Sequence, residues 1–190
     1  MIRSVRFVLI VLIGAILAAG TFAVYMLLGL AEEEAPSKLG GIDNFIPARE
    51  VKIAPPVPFL NEKGERLTLE KFRGHVVVLN LWATWCAPCV EEMPTLDQLQ
   101  QQLADVDVVV VALSLDRGGP QAVRAFFEEH EIEHLEVYVD PTMQAQGGFS
   151  VIGLPTTIII DKEGRERGRI VGPAEWDEAR AADLVLSASK

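Results

Sequence analysis

Cysteine is scarce in this chain, with two among 190 residues. Two thiols cannot build a multi-disulfide scaffold or a four-thiolate zinc site. Positive charge is also short: 17 Lys and Arg stand against 27 Asp and Glu, for a formal net charge of −10. A nucleic-acid binder carries a basic excess, so the balance argues against that class. No low-complexity tract suggests wholesale disorder, and no repeat has solenoid length. Charged residues make up 23% of the chain, an ordinary share for a soluble domain, so most of it is not membrane-embedded. The length suits one domain with something appended.

The appended part is an apolar run. Phe7 to Leu30 contains no charged side chain. As a helix rising about 1.5 Å per residue it would extend about 36 Å, enough to cross a hydrocarbon core of roughly 30 Å with some tilt. Arg3 and Arg6 precede it and Glu32, Glu33 and Glu34 follow it. That asymmetry predicts a cytoplasmic N-terminus and export of everything after residue 30. A cleavable signal peptide is the alternative, with Ala18-Ala19-Gly20 as a place to cut, but its apolar core is usually much shorter than this run. Either way the exported part resides where a disulfide can form. In a Gram-negative bacterium that is the periplasmic face of the inner membrane. An acidic domain is not drawn to anionic headgroups, so the helix alone must tether it.

Residues 31–50 hold four glutamates, Pro36, Gly40, Gly41 and Pro47 without a sustained period, and read as a linker. Leu60 and Leu67 then flank Asn61 to Glu65, a hairpin turn in which Gly64 supplies a positive φ. His75 to Trp82 is a β-branched run, the mark of a strand buried on both faces. Pro88 to Ala104 repeats apolar residues at helical spacing, and Val106 to Leu115 is a second buried strand. Pro120 to Glu129 reads as a helix, Leu135 to Val139 as a short strand and Thr142 to Gln146 as a helical turn. Thr156 to Ile160 is a strand joined by a hairpin to Arg169–Val171, and Trp176 to Leu186 is a last helix. The order predicts an α/β domain: a mixed sheet with helices on both faces.

The chemistry lies in Trp85-Cys86-Ala87-Pro88-Cys89, placed between a buried strand and a helix. Two thiols at i and i+3 share one helical turn and can close a small ring. Cys86 falls at the helix N-terminus, where unsatisfied N–H groups and the dipole stabilise a thiolate, so it is the attacking sulfur. Cys89 lies one turn inside and suits the resolving role. Pro88 is tolerated in a first turn that lacks intrahelical N–H partners. Half of a zinc site would need further ligands from His75, His130 or His134, which nothing in the pattern gathers. A purely structural bridge seldom sits at such a junction with Pro between its cysteines. Redox chemistry is the reading that remains.

A second motif, His130-Glu131-Ile132-Glu133-His134, matches the H-E-x-x-H of zinc proteases. That motif works only on a continuous helix, and this helix should end near His130. No metal is assigned to it.

The longer string Asn80-Leu-Trp-Ala-Thr-Trp-Cys-Ala-Pro-Cys-Val-Glu-Glu-Met-Pro94 resembles the thioredoxin superfamily, and within it the TlpA branch related to the ResA and CcmG/DsbE reductases. The resemblance implies a thioredoxin fold over residues 51–190, with an N-terminal hairpin extension and a central insertion from about Leu113 to Phe149. Residues 1–6, 7–30 and 31–50 are then cytoplasmic tail, transmembrane anchor and linker. The resemblance also implies that Pro155 is the family's cis-proline, facing the cysteine pair. The backbone at Leu154 and Thr156 would then bind an extended segment of a partner. Pro94 matches the kink of the active-site helix. Glu92 matches the acidic residue of Cys-x-x-Glu, placed to move the proton of Cys89. The buried aspartate of thioredoxin itself is Asn80 here, which cannot titrate, and this strengthens the case for Glu92. Trp82 is expected in the core, and Trp85 beside the thiols or against partners.

The expected activity is thiol–disulfide exchange without metal or organic cofactor. Ala-Pro between the cysteines lacks the histidine of strongly oxidising relatives, which favours a reductase. The resemblance suggests apocytochrome c or copper-site assembly proteins as substrates, and a membrane thiol relay of the CcdA or DsbD kind as electron donor. An oxidase or isomerase is the competing enzyme. A non-catalytic metal chaperone using both thiols as soft ligands is the competing class.

Overall fold

The computed structural model describes residues 42–189. The expected anchor, residues 7–30, lies outside them. Among the described residues no helix is long and apolar enough to cross a membrane.

One mixed sheet of eight strands organises these residues, in the order β1-β8-β7-β4-β5-β6-β2-β3. Its centre is β4 (Val76–Trp82), all seven residues of which are buried. Parallel β5 (Val108–Ser114) pairs on one side and antiparallel β7 (Thr156–Ile160) on the other. With neighbours on both edges and packing on both faces, β4 has no solvent side, hence its unbroken apolar run. Val76, Val78 and Trp82 point into one core with Met93, Leu96 and Leu99 of helix α1 (Ala87–Gln102). Val123 and Phe127 of α2 (Gly119–Glu129) and Ala181 and Val185 of α4 (Ala179–Ala188) fill the same core. Val77, Leu79 and Leu81 face the second core with Phe72, Phe149 and Ala145, the last on the short α3 (Gln144–Gly148). Trp82 is fully buried and stacks on Phe127 at 6.0 Å between ring centroids.

The expected hairpin is β2 (Phe59–Asn61) and β3 (Arg66–Leu67), with Gly64 at φ 77°. Several boundaries differ from the sequence reading, three of them for visible reasons. The strand expected from Leu135 is only β6 (Tyr138–Val139). The N–H groups of His134 and Leu135 are taken by the Asp97 carboxylate at 2.7 and 2.9 Å, which holds that stretch out of the ladder. The last helix begins at Ala179 rather than Trp176. The N–H groups of Ala174 and Trp176 donate to the side chains of Glu92 and Thr95, so this segment is pinned across α1 instead of coiling. Finally, the stretch read as a linker joins the domain before residue 50. Ile42–Asn44 forms a 3₁₀ turn with Ile42 buried, and β1 (Ile46–Pro47) pairs with β8 (Glu166–Val171). Gly168 makes that possible, since a Cβ there would run into the Phe45 ring and the Ile46 carbonyl.

Candidate active site

β4 ends at Trp82, and the chain turns through Ala83, Thr84 and Trp85 into Cys86, the N-cap of α1. A buried carboxylate sets the turn. Asp116, just beyond β5, accepts from the Thr84 N–H at 2.9 Å and the Thr84 hydroxyl at 2.8 Å. The Ser114 hydroxyl donates to the same carboxylate at 2.7 Å and fixes its orientation. The Cys86 carbonyl accepts the N–H groups of Cys89 and Val90, closing the first helical turn around the pair. The two sulfurs are joined as a disulfide, with Cα atoms 5.2 Å apart. Cys86 is 7% exposed and Cys89 is sealed at 0%. An approaching group therefore meets Cys86 first, in keeping with an attacking sulfur at the N-cap and a resolving sulfur inside. Ala87 is exposed and Pro88 half-buried, so the two residues between the cysteines bring no bulky or charged side chain there.

The topology brings a second segment to this pole. Thr156 pairs with Leu81 near the end of β4, so the residues before it reach the level of the cysteine turn. The Leu154–Pro155 peptide bond is cis. Pro155 is buried, Leu154 is half-buried, and the Thr156 hydroxyl donates to the Gly153 carbonyl at 2.7 Å. Two large apolar side chains at this end face solvent, Trp85 at 65% and Ile152 at 91% exposure.

Glu92 lies one turn inside α1 from Cys89 and is completely buried, whereas Glu91 points to solvent. Its Oε1 accepts from the Asn80 side-chain amide at 2.7 Å. Its Oε2 accepts from the Ala174 N–H at 3.0 Å and the Trp176 indole N–H at 3.3 Å. Burial pushes this carboxyl from an ordinary value of 4.5 up to about 7, against the pull of the donated hydrogen bonds from Ala174, Asn80 and Trp176. A carboxyl poised there can take or give a proton near neutral pH. The same amide of Asn80 also donates to Thr157 Oγ1 at 2.9 Å. Among the described residues neither Asn80 Oδ1 nor Trp82 Nε1 has a hydrogen-bond partner.

The helix that would have to carry both imidazoles of His130-x-x-x-His134 ends at Glu129, and Glu131 has φ 55°. His130 packs on the Phe126 ring at 4.1 Å, and His134 Nδ1 lies 2.8 Å from Asp97. The two rings therefore serve separate partners.

Sequence reasoning missed Asp116, Thr157 and Trp176. Asp116 left one signal, a carboxylate directly after a buried strand. Trp176 left none, being 84 positions from the glutamate it touches.

Comparison with known proteins agrees with this geometry. Residues 46–186 match the Redoxin family. The thiol-disulfide oxidoreductase ResA of Bacillus cereus (strain ZK / E33L) is 33% identical over 121 residues, 64% of this chain and 69% of that protein. The thioredoxin-like protein YneN of Bacillus subtilis (strain 168) is 33% identical over 117 residues, 61% of this chain and 68% of YneN. Among solved structures, a Chlorobium tepidum protein assigned as thiol:disulfide interchange protein DsbE superposes with a TM-score of 0.65 at 28% identity. That match covers 74% of this chain and 98% of that one.

Proposed function

This chain belongs to the Redoxin family and is a thiol–disulfide oxidoreductase of thioredoxin fold, and from that premise we propose that it works as a reductase of protein disulfides outside the cytoplasm. The observation that carries the proposal is the pairing of an N-cap cysteine with a sealed cysteine and a buried glutamate that titrates near neutrality. The Cys86 thiolate attacks a partner disulfide, forming a Cys86–partner disulfide and releasing one partner sulfur as a thiolate. Ionised Glu92 then takes the proton of the Cys89 thiol. The Cys89 thiolate attacks the Cys86 sulfur and expels the second partner sulfur, which takes up a proton. The Cys86–Cys89 disulfide is left oxidised and the partner is reduced by two electrons. The cis-Pro155 segment, with Leu154 and Thr156, offers an extended edge beside the sulfurs. Trp85 and Ile152 offer apolar surface on which a partner can rest.

Ala87-Pro88 supports this direction, since it places no cationic side chain between the cysteines to stabilise the Cys86 thiolate. The apolar run Phe7–Leu30 supports an inner-membrane anchor, with the domain on the periplasmic side. Electrons would then arrive through a membrane thiol relay of the CcdA or DsbD kind. Apocytochrome c and copper-site assembly proteins are the substrates the family resemblance suggests.

The reduction potential against a glutathione buffer tests direction. Thioredoxin lies near about −270 mV and a strong oxidant near about −120 mV. A value in the thioredoxin range is expected, and one in the oxidant range would reverse the assignment. In a separate insulin-reduction assay Cys86→Ser should lose activity entirely. Cys89→Ser should still attack but stall as the mixed disulfide.

A further inference from the structure

The Asn80 side chain is oddly served for a residue with no exposed surface. Its amide nitrogen gives both hydrogens away, to Glu92 Oε1 at 2.7 Å and Thr157 Oγ1 at 2.9 Å. Its oxygen has no partner. A buried amide normally satisfies its carbonyl, and leaving it bare is costly. The arrangement suits one charge state only. An ionised Glu92 needs donors, and Oε2 already has two, from Ala174 and Trp176. Once Glu92 carries a proton, that proton cannot face those two N–H groups, so it belongs on Oε1. There it would meet the N–H of Asn80, donor against donor.

A half-turn of the amide about its Cβ–Cγ bond removes the conflict. Oδ1 then occupies the position Nδ2 had, and accepts from protonated Glu92. Thr157 completes the exchange, because a hydroxyl both accepts and donates. It accepts from Nδ2 in the first state and donates to Oδ1 in the second. We propose that Asn80, backed by Thr157, is a positioning residue that turns its amide over as Glu92 gains and loses its proton, so that both charge states keep a hydrogen bond. The inference rests on the reading of Glu92 as the proton acceptor for Cys89. A titrating aspartate at position 80 could not act this way beside Glu92, since two adjacent buried carboxylates resist ionising together.

The groups around the Glu92 carboxyl isolate its titration. Asn80 faces it from β4, with Thr157 of β7 behind, and Ala174 and Trp176 face it from the segment after β8. All are neutral. On its own helix Glu91 points to solvent and Asp97 is engaged with the N–H groups of His134 and Leu135, while Cys89 and the N-cap Cys86 are joined in the oxidised protein.

The test uses the oxidised full-length chain, ¹⁵N-labelled in detergent micelles. The Asn80 side-chain amide signals and their contacts to Thr157 are followed by NMR from pH 5 to 9. The Asn80 signals are expected to shift together with the Glu92 carboxyl carbon, and the amide–Thr157 contact to be lost on protonation. Glu92→Gln presents an N–H₂ where Oε1 stood, so its Asn80 should sit in the turned-over state at every pH. An Asn80 amide that keeps its Thr157 contact across the titration, in the unsubstituted protein, overturns the proposal.

Kinetics separates this from the proton role itself. Reduced protein reacting with 5,5′-dithiobis(2-nitrobenzoate) releases a first thiolate on Cys86 attack and a second on Cys89 resolution. If Asn80 stays fixed but Glu92→Gln flattens the pH profile of the second release, only the switch falls. If Glu92→Gln leaves that profile intact, the proton role falls and takes the switch's purpose with it.

Discussion

Helix α1 buries two carboxylates five residues apart, and they live in different surroundings. Asp97 sits at its flank, where its side chain is 10% exposed and binds the backbone N–H groups of His134 and Leu135 and the His134 ring, itself 35% exposed. Glu92 sits one helical turn on from Cys89 with no exposure and only neutral donors around it. The first is a clamp: it satisfies backbone groups of a loop that would otherwise lack partners. The second is held where its charge is costly, and that cost gives it a useful proton affinity. Number of hydrogen bonds does not separate the two. Access to water and the nature of the donors do.

The comparison breaks most visibly at Glu92. Glu92→Gln should slow the Cys89 resolving step on the order of 100-fold, the usual loss when a positioned base is removed. The rise of that step through pH 7 should vanish, leaving only the rise due to the thiol itself near about 8.5. Stability should move the other way. The folded carboxyl titrates near 7 and the unfolded one near 4.5. The folded state therefore binds the proton more tightly, and ionisation costs stability as pH rises from 4.5 to 7, with the full cost above 7. The shift corresponds to about 3 kcal/mol. Urea denaturation should find Glu92→Gln more stable than the parent by up to about that amount at pH 8, with the gain shrinking towards pH 4.5.

Asp97→Ala should behave in reverse. It leaves two N–H groups unserved and should lose about 2–3 kcal/mol in the same denaturation series. The pH profile of resolution should stay where it was. A displaced profile would mean that the clamp also tunes the site. Glu91→Gln, one residue from Glu92 but in solvent, should change stability by less than about 0.5 kcal/mol and leave the kinetics alone.

Much of this was legible in the sequence, for particular reasons. Val76–Trp82 reads as a central strand because burial on both faces leaves no polar alternation. Cys86 and Cys89 are legible because strand, turn, Pro88 and helix each constrain the motif locally. Glu92 is legible through the resemblance of Cys89-x-x-Glu92 to the family's motif. What surrounds it is not, because Asn80, Trp176 and Thr157 come from three separate strands and loops and meet only through the sheet order. The late start of α4 and the shortening of β6 share one cause. In both places a side chain of α1 captures backbone N–H groups that the local pattern assigns to regular structure. No window of neighbouring residues contains that information.

The central claim is that electrons leave this protein for its partners, and the redox state of Cys86 and Cys89 in intact cells tests it most directly. Acid quenching followed by alkylation with a mass-tagged thiol reagent reads that state without purification. A pair that is mainly reduced at steady state is the expected result, since a reductase must be kept supplied. A pair that is mainly oxidised while its relay is present would contradict the account and point to an oxidase or isomerase.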